Sequence, residues 1–77
     1  MSGPGGNRWD VIVGGNVRRL RLLKSMTQED LAASSNLSDR HVGRIERADV
    51  SATVATLEAI ADALDVTPLA FFQQNEP

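Results

Sequence analysis

MTQEDLAASSNLSDRHVGRIER, the stretch at residues 26–47, decides the fold of this 77-residue chain. Thr27 can cap a helix through its side chain, and the acids that follow it favour the positive end of a helix dipole. Asn36 tolerates a left-handed backbone and therefore predicts a turn. Ser38 can then cap a second helix, which we expect to end at about Arg47. The stretch predicts two short helices joined by a tight turn.

Helical periodicity dominates the rest of the chain as well, without a convincing alternating strand. We expect a first helix over about residues 10–25, a fourth helix capped by Thr53, and a short fifth helix over about residues 69–73 after Thr67 and Pro68. The sequence therefore predicts an all-α fold, a compact five-helix domain. The residues expected to face its core are Val13, Val17, Leu20, Leu31, Ala32, Leu37, Val42, Ile45, Val54, Leu57, Ile60, Ala61 and Leu64.

Composition bounds the domain organisation and excludes several classes of function. A chain this short holds one domain, which we expect at residues 10–74 between a flexible tail (residues 1–9) and a frayed end (residues 75–77). The sequence has no cysteine and one histidine, so we expect no enzyme, metal, cofactor or small-molecule substrate. No apolar run approaches the 18 residues of a membrane span, and no secretory signal is evident. A cytoplasmic protein is therefore expected.

The net charge of −2 hides a division of the chain. All eight basic residues lie between Arg8 and Arg47, a segment whose five acids leave a balance of +3, whereas residues 49–77 carry five acids and no Lys or Arg. Such asymmetry indicates a polyanion partner for the basic half. Chance clustering in a short chain explains the asymmetry equally well, so charge alone leaves the partner open.

The outward face of the third helix favours DNA as that partner. Asp39, Arg40, Gly43, Arg44 and Arg47 fall within an arc of about 140°, opposite the apolar residues. An arginine offers a planar fork of donors that fits guanine O6 and N7 or a phosphate. Gly43 leaves a gap on this face, where the backbone or a neighbouring side chain can come close to bases. The alternative is a face that is merely solvated, but a charged helix after a tight turn favours reading of the DNA major groove.

The stretch at residues 26–47 resembles the helix-turn-helix of the Cro/phage-repressor (XRE) type of DNA-binding regulators. The likeness covers about residues 13–72, through the runs Val17-Arg18-Arg19-Leu20-Arg21 and LEAIADALDV (57–66), and it implies a lambda-repressor-like fold. The small size and the ending LAFF are most similar to the controller proteins of restriction–modification systems, which are dimeric regulators. The resemblance thus implies a transcription regulator.

The resemblance also implies roles for individual residues. The amide of Gln28 would bond a backbone phosphate, the base-reading positions are Asp39, Arg40 and Arg44, and Arg21 and Glu46 match a structural ion pair. Asp39 would accept from cytosine N4 or hold Arg40 or Arg44 in place. The residues expected to bind DNA are Gln28, Ser38, Asp39, Arg40, His41, Gly43, Arg44 and Arg47.

The sequence departs from the family pattern in its loops. Ala48 stands where the family commonly has Gly after Ile-Glu-Arg, Ala52 replaces the usual Pro, and Asn36 replaces the glycine of the turn. These substitutions affect the expected loop conformations and leave the motif intact.

The acidic half ends in more apolar surface than a short last helix needs. Val66, Leu69, Phe71 and Phe72 either cap the small core or form a two-fold interface, and we expect a homodimer that binds an inverted-repeat operator, because dimers of such modules bind half-sites about one helical turn apart. The alternative function is an antitoxin-like interaction module that holds a partner protein through the same apolar surface.

Overall fold

The computed structural model describes residues 5–74; residues 1–4 of the expected tail and residues 75–77 of the expected frayed end lie outside them. The four α-helices are α1 (Arg8–Leu23), α2 (Gln28–Ser35), α3 (Asp39–Glu46) and α4 (Val54–Leu64). The predicted all-α class is confirmed, and none of the described helices is long and apolar enough to cross a membrane. The predicted fifth α-helix is wrong, because Pro68–Phe72 forms a 3₁₀ helix, a geometry that proteins use in short pieces.

The first helix begins two residues earlier than predicted because Asn7 caps it. Asn7 Oδ1 accepts a hydrogen bond from the Asp10 N–H at 2.9 Å, and the Asp10 carboxylate accepts one from the Asn7 N–H at 3.4 Å. This reciprocal pair is a capping box, which satisfies two free backbone donors at once. Arg8 and Trp9 therefore belong to α1 and not to a flexible tail. The helix ends at Leu23, two residues before the predicted end.

Side-chain caps begin the other three α-helices as predicted. Thr27, Ser38 and Thr53 each accept a hydrogen bond from the backbone N–H three residues later, at 3.0–3.1 Å. The Asp30 carboxylate accepts in return from the Thr27 N–H, and this bond holds the pKa of Asp30 below its ordinary value. Asn36 has a φ of 59°, which confirms the left-handed turn between α2 and α3.

The core lies where α1 packs against α3 and the 3₁₀ helix, and where α2 packs against α3 and α4. Gly14 permits the close approach of α1 to α3, because a side chain there would overlap the carbonyl oxygen of Ile45. The residues predicted to face the core are buried or half-buried, with one exception. Val54 is 84% exposed because it occupies the first position of α4, before the helix turns its apolar side inward.

Candidate nucleic-acid interface

The face of α3 that lies opposite the core is charged and open to solvent. Asp39, Arg40 and Arg44 are exposed, as is Arg47 at the C-cap, and His41 is half-buried. The bond from the His41 N–H to Ser38 Oγ fixes the first turn of the helix. The structure therefore brings the predicted base-reading positions onto one accessible helical face.

A cleft of about 420 Å³ runs beside this face. It is lined by the predicted residues Ser38, Arg40, His41 and Arg44, together with Val50 from the loop between α3 and α4. Val50 is half-buried against the core and is not among the residues that the sequence indicated, because no pattern within α3 reveals a neighbour from the following loop. Arg40 and Arg44 therefore line the same cleft.

Neither arginine of the cleft is neutralised by an ion pair within the described residues. Two ion pairs are present among residues 5–74, Arg21–Glu46 and Arg47–Asp49, so neither Arg40 nor Arg44 takes part in one there. The Asp39 carboxylate accepts from the backbone N–H of Arg40 at 3.0 Å, which is a local bond within the first turn. Asp39 was expected either to accept from cytosine N4 or to hold an arginine side chain. Within residues 5–74 the structure shows no ion pair between Asp39 and an arginine.

Gly43 is covered by neighbouring side chains. It is buried, and a β-carbon at this position would lie 3.0 Å from Arg47 Nη1 and 3.3 Å from Gln28 Oε1. The side chains of Gln28 and Arg47 thus occupy the gap, which is the alternative of a neighbouring side chain. A helical wheel of α3 alone does not show this, because Gln28 reaches across from α2. Contact of this region with bases stays a prediction.

A buried ion pair lies beneath the exposed face. Arg21 Nε and Nη2 donate to the two carboxylate oxygens of Glu46 at 2.7 and 3.0 Å, and Arg21 Nη1 donates to the Met26 carbonyl at 2.7 Å. The two side chains are 8% and 2% exposed. The hydrogen bonds to Glu46 and its negative charge raise the pKa of Arg21 above its ordinary value, against the opposing effect of burial. The pair joins the end of α1 to the end of α3.

The apolar residues near the C-terminus divide between core and surface. Phe71 is fully buried and Val66 is half-buried against the core, so the prediction of an interface role for Phe71 is wrong. Asn16, itself buried, donates to the carbonyls of Phe71 and Gln73 at 2.8 and 2.7 Å and holds the segment against α1. Leu69, in contrast, is 76% exposed.

Exposed apolar side chains from three elements surround the 3₁₀ helix. Phe72 is 41% exposed and lies 6.1 Å from the ring of Trp9, which is 46% exposed. Trp9 and Phe72 line a small cavity of about 150 Å³ together with Val54. Trp9 and Val54 were not predicted at this surface, because Trp9 was expected in the flexible tail and Val54 in the core. The spacing of Asn7 and Asp10 is the signal that would have placed Trp9 on a helix.

Two short helices joined through a left-handed residue, the second with outward arginines that form no ion pair within residues 5–74, are typical of a helix-turn-helix DNA-binding domain. Comparison with known proteins agrees, since the helix-turn-helix family profile matches residues 17–71. The chain belongs to the helix-turn-helix family of the Cro/phage-repressor (XRE) type, which consists of DNA-binding transcription regulators and not of enzymes.

The chain is also similar to individual proteins. It is 41% identical over 56 residues to an uncharacterised HTH-type transcriptional regulator, y4dJ, of Sinorhizobium fredii, with 73% of each chain covered. The restriction–modification controller protein C.AhdI of Aeromonas hydrophila has a TM-score of 0.80 and 35% identity, over 82% of this chain and 96% of that one. The controller C.Esp1396I, solved as a tetramer with its natural 35-base-pair operator, has a TM-score of 0.80 and 37% identity, over 87% and 88%.

Proposed function

We propose that this transcription regulator binds an inverted-repeat operator as a homodimer, with α3 of each protomer in the major groove. The observation that carries the proposal is the exposed face of α3, where Arg40 and Arg44 share a cleft and take part in no ion pair within residues 5–74. Guanidinium groups without an ion-pair partner in that region suit bidentate recognition of guanine, because their planar donor fork matches O6 and N7 and no existing ion pair has to be broken.

The proposal gives a role to each of the side chains that were predicted to bind DNA. Arg40 and Arg44 read base edges, and Asp39 accepts from cytosine N4. Gln28 lies at the first position of α2, where the helix dipole and the free backbone donors favour a phosphate. The residues proposed to complete the interface by touching base edges or phosphates are Ser38, His41 and Arg47.

The homodimer is proposed to form through the exposed apolar surface around the 3₁₀ helix. Leu69 and Phe72 are three residues apart, so their side chains lie on the same side of a 3₁₀ helix. Trp9 and Val54 extend the surface beside Phe72. A single helix-turn-helix reads only a few base pairs, and a two-fold dimer presents two reading helices to half-sites about 34–36 Å apart. The C.Esp1396I tetramer on its operator supports assembly of this kind.

The particular role proposed for the chain is the control of a restriction–modification system. Two of its structural relatives, C.AhdI and C.Esp1396I, are controllers of such systems, and their coverage in both directions exceeds four fifths. The matched regions cover 82–96% of each chain, so the likeness extends beyond the helix-turn-helix motif. The expected target is a short operator in the control region of the genes that it regulates.

Selection of bound sites from random duplexes tests the proposal. We expect an enriched inverted repeat whose half-sites are one helical turn apart and contain guanines, because arginines are the readers. A single unrepeated site would contradict the homodimer, and bound duplexes without a common sequence would contradict base reading. A monomer that binds no duplex specifically would favour the antitoxin-like alternative.

A further inference from the structure

The side chain of Gln28 is tied to the buried ion pair. Gln28 Nε2 donates to Glu46 Oε1 at 3.0 Å, and the same oxygen accepts from Arg21 Nη2. A carboxylate only accepts hydrogen bonds, so the amide nitrogen of Gln28, and not its oxygen, must face Glu46. One N–H of the amide is used in this bond, and the second N–H remains for a ligand. The ion pair therefore fixes the orientation of the amide as well as the packing of the helices.

The route of this side chain depends on the absence of a side chain at position 43. Gln28 extends from α2 over the buried backbone of Gly43, and a β-carbon there would lie 3.3 Å from Oε1 and 3.6 Å from Nε2, with Arg47 Nη1 nearest of all at 3.0 Å. The first of these distances is tighter than an ordinary van der Waals contact, so an added methyl group would displace the amide. The displaced atoms end a flexible side chain, and the helix itself would accept alanine.

We propose that Gly43 and Glu46 are positioning residues that set the amide of Gln28 for a DNA phosphate before the DNA arrives. Glu46 orients the amide through a hydrogen bond, and Gly43 supplies the space in which it lies. A long side chain that is ordered in advance loses less conformational entropy on binding. The proposal rests on the phosphate contact of Gln28 in the proposed function and adds to it the two residues that hold Gln28 in place.

The variant Gly43→Ala tests the proposal, because it crowds the amide of Gln28 and keeps both residues of the ion pair. It also crowds Arg47 Nη1, and a double variant with Gln28→Ala separates the two effects. Replacing a helical glycine by alanine favours the folded state, so we expect a melting temperature no lower than that of the wild type. We expect the affinity for the selected operator and for a random duplex to fall by the same factor, about 3- to 10-fold, because a phosphate contact carries no sequence information. Binding is measured at a temperature where circular dichroism shows every variant folded.

Gly15→Ala is the matched control. Gly15 is an exposed helical glycine with open space around its α-carbon, so alanine there should raise the melting temperature and leave the affinity within twofold of the wild type. The double variant Gln28→Ala/Gly43→Ala shows whether Gly43 acts through Gln28. Once Gln28 is alanine, we expect the further change at Gly43 to cost less than twofold.

The outcomes separate this proposal from the one on which it rests. If Gln28→Ala alone binds DNA like the wild type, the phosphate contact of the proposed function is wrong, and the positioning role is overturned with it. If Gln28→Ala weakens binding but Gly43→Ala stays within twofold of the wild type, only the positioning role is overturned. An equal loss from Gly43→Ala in both backgrounds would also overturn it, because Gly43 would then act independently of Gln28.

Discussion

The two halves of this domain expose different kinds of surface. In the reading half (residues 26–47) the exposed face is charged, and the buried ion pair between Arg21 and Glu46 joins the end of α3 to α1. In the acidic half (residues 49–74) Asp49 is exposed and pairs with Arg47, and the other exposed acids lie on α4 and at its end, at Glu58, Asp62 and Asp65. The surface around the 3₁₀ helix is apolar. One half thus exposes the arginines that are proposed to bind DNA, and the other exposes an apolar surface.

Residues of one type take different roles within this division. Arg21 is 7% exposed and belongs to the scaffold, but Arg44 is exposed and unpaired within residues 5–74. Phe71 is fully buried, but its neighbour Phe72 is 41% exposed. Residue type alone therefore does not decide whether a side chain supports the fold or meets a partner. Substitution of one member of each pair separates the two roles.

The largest expected effect is on the scaffold beneath the reading half. Arg21→Ala should lower the free energy of unfolding by about 3–5 kcal/mol, because it leaves Glu46 as a buried charge without its partner. Urea denaturation followed by circular dichroism measures the change. Arg18→Ala removes the same charge from an exposed position of α1 and should stay within about 0.5 kcal/mol of the wild type. A loss below about 1 kcal/mol at Arg21 would contradict a structural role for the pair.

The next effect is on the apolar surface of the acidic half. Leu69→Glu should weaken the proposed dimer by about 2 kcal/mol or more, because it places a charge in the centre of an apolar contact. Sedimentation velocity over a concentration series measures the dissociation constant. Gln73→Glu introduces the same charge at an exposed position four residues later and should change it little. A wild-type chain that sediments as a monomer at micromolar concentrations would exclude the dimer itself.

A smaller effect is expected at the reading face. Arg44→Ala should cost about 1–3 kcal/mol on the operator and relax specificity at one base step, while its cost on random DNA should be smaller. Thermal unfolding should change little, because the side chain is exposed. Titration of operator and random duplexes at one salt concentration supplies the comparison. Equal losses on both duplexes would make Arg44 a phosphate contact and remove it from the base-reading residues.

The parts of the fold that were predictable from sequence are the local ones. The caps at Thr27, Ser38 and Thr53 and the turn at Asn36 depend on bonds within three residues, so a short window of sequence contains all the information. Which of the two phenylalanines caps the core could not be predicted, because that depends on how the 3₁₀ helix packs against α1, where Asn16 bonds the Phe71 carbonyl from 55 residues away.

The candidate site follows the same rule. The exposed arginines of α3 follow from the period of one helix, whereas the covering of Gly43 depends on a side chain from α2. The pairing of Arg21 with Glu46 was expected from the family resemblance and not from the residues themselves. Contacts between elements could thus be predicted only where the resemblance to a known family indicated them.

The smallest expected effect lies at the junction of the two halves. Ala48 stands at the family's usual glycine position and has a φ of 62°, a left-handed conformation that costs a residue with a side chain about 1–2 kcal/mol. Ala48→Gly should remove this strain and lose the burial of one methyl group, for a net gain in stability of about 0.5–1 kcal/mol. Thermal and urea unfolding measure the gain.

The control for Ala48→Gly is the same substitution in a helix. Ala33 is exposed in the middle of α2, so Ala33→Gly should destabilise the fold by about 1 kcal/mol, since glycine is a poor helix former. Opposite signs at the two positions would show that the backbone of Ala48, and not alanine as such, is strained. If both variants lost stability equally, the methyl group of Ala48 would contribute more by packing than its conformation costs, and the departure from the family's glycine would be an adaptation of the junction rather than a strain within it.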